Sequence, residues 1–193
     1  MRLNFKKPSL NFKKSQTDID PEGINFLDLG QGRTIYQEEM GEDPPEGMVF
    51  VDIDEDTGPD VLWDLNERIP LPDSSIGGTI NLGQVIVYLQ NPALTAQEML
   101  RIAKPGTFIT ISTNISTKDV IADAETWGLN PAEIEVEDEA SLKMDSEWAE
   151  KSNIFLNILN SGAQLVDREL SGIYEEDAHV FYTFQKVNRG ENI

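Results

Sequence analysis

The 193-residue chain contains no cysteine. Disulfide scaffolds, zinc–thiolate centres and thiol catalysis are excluded at once. It has one histidine, His179, so a multi-histidine metal site is ruled out and any Ser-His-Asp triad would have to use that residue. Bases are scarce: 15 Lys and Arg stand against 35 Asp and Glu, a formal net charge of −20. Such a surface repels phosphate backbones and anionic lipid, which argues against nucleic acid as a partner and against a membrane-surface role. No apolar run approaches the ~20 residues needed to span a bilayer. The basic start is not followed by an apolar stretch of signal-peptide length. The chain therefore reads as soluble and cytoplasmic. The acidic stretch Glu133–Glu139 lacks calcium-loop spacing, and no metal site is expected.

The bases that are present are unevenly spread. Residues 1–16 hold five of them (Arg2, Lys6, Lys7, Lys13, Lys14) and no acid. Within this segment LNFKK occurs twice, at Leu3–Lys7 and Leu10–Lys14. Two readings stand side by side. One is a basic extension resting on its own acidic domain. The other is a docking arm whose paired Leu-x-Phe anchors engage a partner, self-association included. Residues 17–193 read as one domain, since no linker divides 20–187.

Hydrophobic residues make up 39% of the chain, enough for a real core. Short apolar runs at Ile24–Leu29, Met48–Ile53, Asp60–Leu65, Thr79–Ile86 and Thr107–Ser112 read as strands. Helical spacing marks Ala93–Ala103, stopped by Pro105-Gly106, then Thr117–Trp127 and Glu147–Asn160. Ala163–Leu170 and Ala178–Val187 are two closing strands with no helix between them. The alternation predicts an α/β fold: a doubly wound, Rossmann-like sheet of seven mostly parallel strands with a C-terminal antiparallel hairpin.

Three signals in order carry chemistry. Asp28-Leu29-Gly30-Gln31-Gly32 follows the first strand, where glycines let the backbone turn sharply and approach a ligand. A dinucleotide fingerprint wants a further glycine at position 35, where Ile35 sits, so a nicotinamide or flavin site is disfavoured. Asp52, with Ile53 beside it, ends the second strand 22 residues after Gly30, near the spacing at which an acid binds ribose hydroxyls. Asp54 competes for that role. Asp64-Leu65 ends the third strand, where a carboxylate suits an adenine amino group. Trp63, Trp127 and Trp148 read as packing residues.

Five stretches recur in a recognisable order: DLGQG, VFVDID, GPDVLWDL, IPLPDSSIG and EMLRIAKPGT. In this the chain resembles the class I S-adenosylmethionine-dependent methyltransferases, especially their small branch without large insertions. The resemblance runs from Ile24 to Thr113, with compatible strands to Val187. It implies S-adenosyl-L-methionine as cofactor. It places Gly30, Gln31 and Gly32 against the methionine and ribose part, and Asp28 at the loop or the amino end. Asp52 and Ile53 fall to the ribose, Asp64 and Leu65 to the adenine. Asn81 and Gly83 would face the methyl group, and Gln84 and Tyr88 the acceptor. No catalytic base is assigned. The chain departs from the family pattern at Gln31, commonly Cys or Ser there, and at Ser75-Ile76-Gly77 in place of Ser-Phe-Asp. Val87-Tyr88 stands for Glu-His, and Thr107 for a glycine. The implied function is methyl transfer to a small-molecule, sugar or peptide acceptor. The alternative is an inactive methyltransferase-like module serving in interaction or structure.

Overall fold

The computed structural model describes residues 20–83, 85–116, 146–173 and 177–188. The seven strands are β1 (Phe26–Leu29), β2 (Met48–Asp52), β3 (Val61–Leu62), β4 (Thr79–Leu82), β5 (Phe108–Ser116), β6 (Ala163–Ile173) and β7 (Asp177–Lys186). They form one sheet in the order β3-β2-β1-β4-β5-β7-β6. Strands β1 to β5 run parallel, and β7 lies antiparallel between β5 and β6. The expected doubly wound sheet with its closing hairpin is the observed architecture. The chain leaves β1 toward β2 and β3, then returns to place β4 on the other side of β1. The gap between β1 and β4 is thus a topological switch point, where such sheets hold ligands beyond the strand ends.

Side-chain alternation assigns the two faces. Leu27, Leu29, Ile80, Leu82, Ile109 and Ile111 are fully buried on one face. Helix α2 (Pro92–Ile102) and helix α3 (Ser146–Asn160) cover it, contributing Met99, Ile102, Phe155 and Leu159 to the same core. Asn91 caps α2 by accepting the Leu94 N–H at 3.1 Å, and Pro92 opens the helix where its missing donor is no loss. Thr113 and Ser152 hydroxyls meet at 2.7 Å and tie α3 to β5. The other face is covered at β1 and β2 by α1 (Arg33–Met40). There Tyr36 lies 5.6 Å from the Phe50 ring, and the Arg33 guanidinium sits 5.4 Å over it.

Several boundaries differ from those the sequence pattern predicts. The third strand shrinks from Asp60–Leu65 to Val61–Leu62, and the side chains of the acids on either side of it are engaged elsewhere. Asp60 accepts the Phe50 N–H and grips Arg33, and Asp64 accepts the Asn66 N–H. The fourth strand ends at Leu82 rather than Ile86. Beyond Gly83 a turn leads into a 3-10 helix, Ile86–Tyr88, which buries Ile86 completely. The expected helix Thr117–Trp127, the acidic stretch Glu133–Glu139 and the basic segment 1–16 lie outside the described residues. No helix among the described residues is long and apolar enough to cross a membrane.

The stretch from Leu65 to Ser75, which leads from β3 toward β4, is fastened to α2. Arg101 donates to both oxygens of Glu98, to the Ile69 and Leu71 carbonyls, and to Asp73. Glu98 in turn accepts the Ile69 N–H at 2.9 Å. Thr95 donates to the Leu65 carbonyl at 2.7 Å.

Candidate cofactor site

Asp28 occupies a row of polar residues that crosses the sheet. The register sets Asp28 beside Asn81 of β4 and Asn81 beside Thr110 of β5. Thr110 donates to Asn81 Oδ1 at 2.8 Å, and Asn81 Nδ2 donates to Asp28 Oδ1 at 3.2 Å. The relay fixes the Asn81 amide, since its oxygen is occupied and its nitrogen must face the acid. Asp28 is 2% exposed. Burial pushes its carboxyl up to about 6; the Asn81 bond opposes that push, and the charges of Glu39 and Asp52 add to it. A buried acid flanked by two more acids is a place that favours a positive charge.

The loop after β1 turns at Gly30, whose φ is +86°. Its N–H donates to the Val51 carbonyl at 2.7 Å, which holds the loop against the end of β2. A Cβ at Gly30 would lie 2.6 Å from Val85, and one at Gly32 would lie 2.1 Å from the Thr57 carbonyl. Both glycines are therefore demanded by the chain's own packing. Gly32 also caps α1, and Gln31 turns its amide to Glu39 at 3.1 Å.

Asp52 is 9% exposed at the end of β2, and its Oδ1 accepts the Asp54 N–H at 2.8 Å. Its other oxygen accepts no hydrogen bond among the described residues. Asp54, the competing acid, is exposed and caps the short 3-10 helix Glu55–Thr57. Ile53 between them is half exposed, an apolar surface beside Asp52. Backbone bonding from Trp63 N–H to the Asp52 carbonyl at 2.8 Å brings the end of β3 alongside. Trp63 packs against the core as expected, but its buried Nε1 has no hydrogen-bond partner among the described residues. Asp64 Oδ1 accepts both the backbone and side-chain N–H of Asn66. Leu65 is a buried core residue.

Beyond β4, Gly83 has open space where a Cβ would stand, and Tyr88 is 75% exposed. Gln84 lies outside the described residues. Lys151 of α3 donates to the Val87 carbonyl at 2.9 Å and anchors the 3-10 helix that carries Tyr88.

The structure thus gathers Asp28, Gly30, Asp52 and Asn81 at the carboxyl ends of three adjacent strands, with Asp64 one strand farther out. Gln31 bonds Glu39, one of the two acids whose charge acts on Asp28, and the Leu65 side chain packs in the core. Sequence patterns do not single out Thr110, Val85, Thr57 or Asn66. Thr110 has one available signal, its period-2 match in TFITIS to the polar face of the sheet. An orphaned buried indole donor and unengaged carboxylate oxygens fit a ligand that accepts, donates and carries positive charge, as S-adenosylmethionine does. Among the described residues no cluster of three or more His, Asp or Glu is arranged to hold a metal ion.

No protein-family model matches the sequence, and no curated protein matches it. Solved structures do match in shape. An S-adenosylmethionine-dependent methyltransferase from Mesorhizobium loti aligns with a TM-score of 0.53 at 17% identity, over 87% of this chain and 93% of that one. This is the class I methyltransferase fold. A geranyl diphosphate methyltransferase solved with S-adenosylmethionine aligns at 0.51 and 10% identity, over 88% of this chain and 80% of that one. The [4+2]-cyclase SpnF aligns at 0.55 and 13% identity, over 86% and 76%. At these identities the likeness is one of fold, and SpnF shows that the methyltransferase fold also carries other chemistry.

Proposed function

We propose that the chain is an S-adenosylmethionine-dependent methyltransferase acting on a small-molecule, sugar or peptide acceptor. The observation that carries this reading is Asp28, a buried acid held by Asn81 at the switch point, with Glu39 and Asp52 adding negative charge. That environment suits the sulfonium and ammonium of the cofactor. When bound, the cofactor supplies a methyl group already activated by sulfonium, so the protein's share is orientation and exclusion of water. Asp52 offers its unengaged oxygen to the ribose hydroxyls, and Ile53 an apolar surface beside it. Asp64, beyond the end of β3, is the acid this reading assigns to the adenine. Tyr88, exposed on its anchored 3-10 helix, is the residue this reading assigns to orienting the acceptor. The geranyl diphosphate enzyme supports a small acceptor, and the net charge of −20 disfavours nucleic acid.

A second reading is a methyltransferase-fold module without methyl transfer. It draws on the packing of Val85 against Gly30 and of Thr57 against Gly32, and on Val87-Tyr88 in place of Glu-His. Calorimetric titration with S-adenosylhomocysteine separates the two. Micromolar binding that weakens in Asp28→Asn supports the enzyme, whereas no binding at millimolar ligand leaves the module.

A further inference from the structure

The sheet face that α1 covers over β1 and β2 continues across β5, β7 and β6. None of the described helices lies over that continuation, because α2 and α3 pack on the opposite side. The register places Phe108 in the same row as Phe26, and Phe181 opposite Ser112. Both Phe108 and Phe181 are 43% exposed. The His179 ring packs on Phe181 at 4.9 Å. Across the hairpin, Asp167 pairs with Thr183 and Glu169 with Phe181, so two exposed acids border the aromatic surface on the same side. Aromatic area edged with negative charge on an otherwise covered sheet is a docking surface.

Its chemistry matches one segment of the chain. Residues 1–16 carry five bases and no acid, while the remainder carries the other ten bases and all 35 acids. Each LNFKK copy offers Leu and Phe followed by two lysines. Three residues, 17–19, separate this segment from Asp20, which stands just before the turn that enters β1. Phe108 sits two strands from Phe26 in the row where β1 begins, about 10 Å away. Phe181 lies about 13 Å farther along the strands, and the seven residues separating Phe5 from Phe12 reach up to ~23 Å.

We infer that the two LNFKK copies dock in cis on this face, Leu10–Lys14 at Phe108 and Leu3–Lys7 at Phe181 with its lysines against Asp167 and Glu169. Tethering makes the contact intramolecular, and its effective concentration lets two weak units hold together. The charge pairing makes the contact sensitive to salt.

The absence of native cysteine makes an introduced pair unambiguous. Lys6→Cys combined with Glu169→Cys should oxidise to an intramolecular disulfide at least about ten-fold faster than Lys6→Cys with Gln97→Cys on α2, at monomer mass. High salt should slow that reaction several-fold, and Phe181→Ser should remove the advantage. The single imidazole gives a second measurement: deleting residues 1–16 should shift the His179 proton resonance of the folded chain. Where deletion costs the fold, Phe5→Ser gives the same readout. Equal oxidation rates in the two pairs, or an unmoved resonance, would overturn the inference. So would a disulfide found only in covalent dimers, which gives the arm to a second copy.

Discussion

Arg101 Nη2 lies 2.6 Å from Glu98 Oε2, and the same oxygen accepts the backbone N–H of Ile69. Both side chains are largely buried, so the pair works as a unit that holds the strand-connecting stretch to α2. Arg101→Ala strands the Glu98 carboxylate and two backbone carbonyls. A loss of about 3–5 kcal/mol is expected, since removing one partner leaves an uncompensated buried charge. Urea unfolding measures it; a loss below about 1 kcal/mol would mean that the network is ornamental.

Asp28 gives a pH signature. Its native carboxyl titrates at about 6 against an ordinary value of 3.8. Between those values the native state keeps a proton that the unfolded chain has released, so stability falls as pH rises through the window. The cost is absent below about pH 4 and complete above pH 6, on the order of 3 kcal/mol. Asp28→Asn keeps an acceptor for Asn81 and removes the charge. Its melting temperature should exceed that of the parent at pH 7.5 and approach it at pH 4, while S-adenosylhomocysteine binding weakens. Parallel melting curves across that range would show that Asp28 carries no such penalty.

Asp52→Ala should weaken S-adenosylhomocysteine binding more than Asp54→Ala. Asp52 is nearly buried with one oxygen unengaged, whereas Asp54 is exposed and spent on capping a 3-10 turn. Loss of a charge-assisted bond to a ribose hydroxyl corresponds to about 1.5–3 kcal/mol. Titration of both variants decides it, and equal small effects would remove Asp52 from the site.

At Gly30 two penalties coincide. Alanine there adopts a positive φ, costing about 1–2 kcal/mol, and overpacks Val85, costing about 1–3 kcal/mol. Val85→Ala in the same chain should relieve only the second. A double-mutant cycle should therefore show a coupling of at least about 1 kcal/mol. Strict additivity would mean that Val85 yields without cost.

The site is legible in the sequence where local chemistry dictates it. Gly30 stands out because a turn after a buried strand needs that residue, and Asp52 because it ends the next strand at a telling interval. β-Branched composition misleads at Val85-Ile86-Val87, which reads as strand. There Gly83 ends the ladder and a 3-10 turn buries Ile86 instead. Helix α1 escapes the pattern because none of its side chains is fully buried, leaving little apolar stripe to read. Glu98 and Arg101 look like ordinary helix-surface charges. Only the fold brings Ile69 and Leu71 within reach of Arg101 and turns that pair inward.

The two borders of the sheet are unequal. At one, β3 presents two residues; at the other, β6 presents eleven, with register irregularities near Leu165 and Leu170. A border of two residues is too short to template a neighbouring strand. Among the described residues, β6 is the border long enough to pair with an added strand. Among the described residues, two copies joined edge to edge through β6 would offer only β3 outward, a geometry that closes as a pair instead of propagating into a filament.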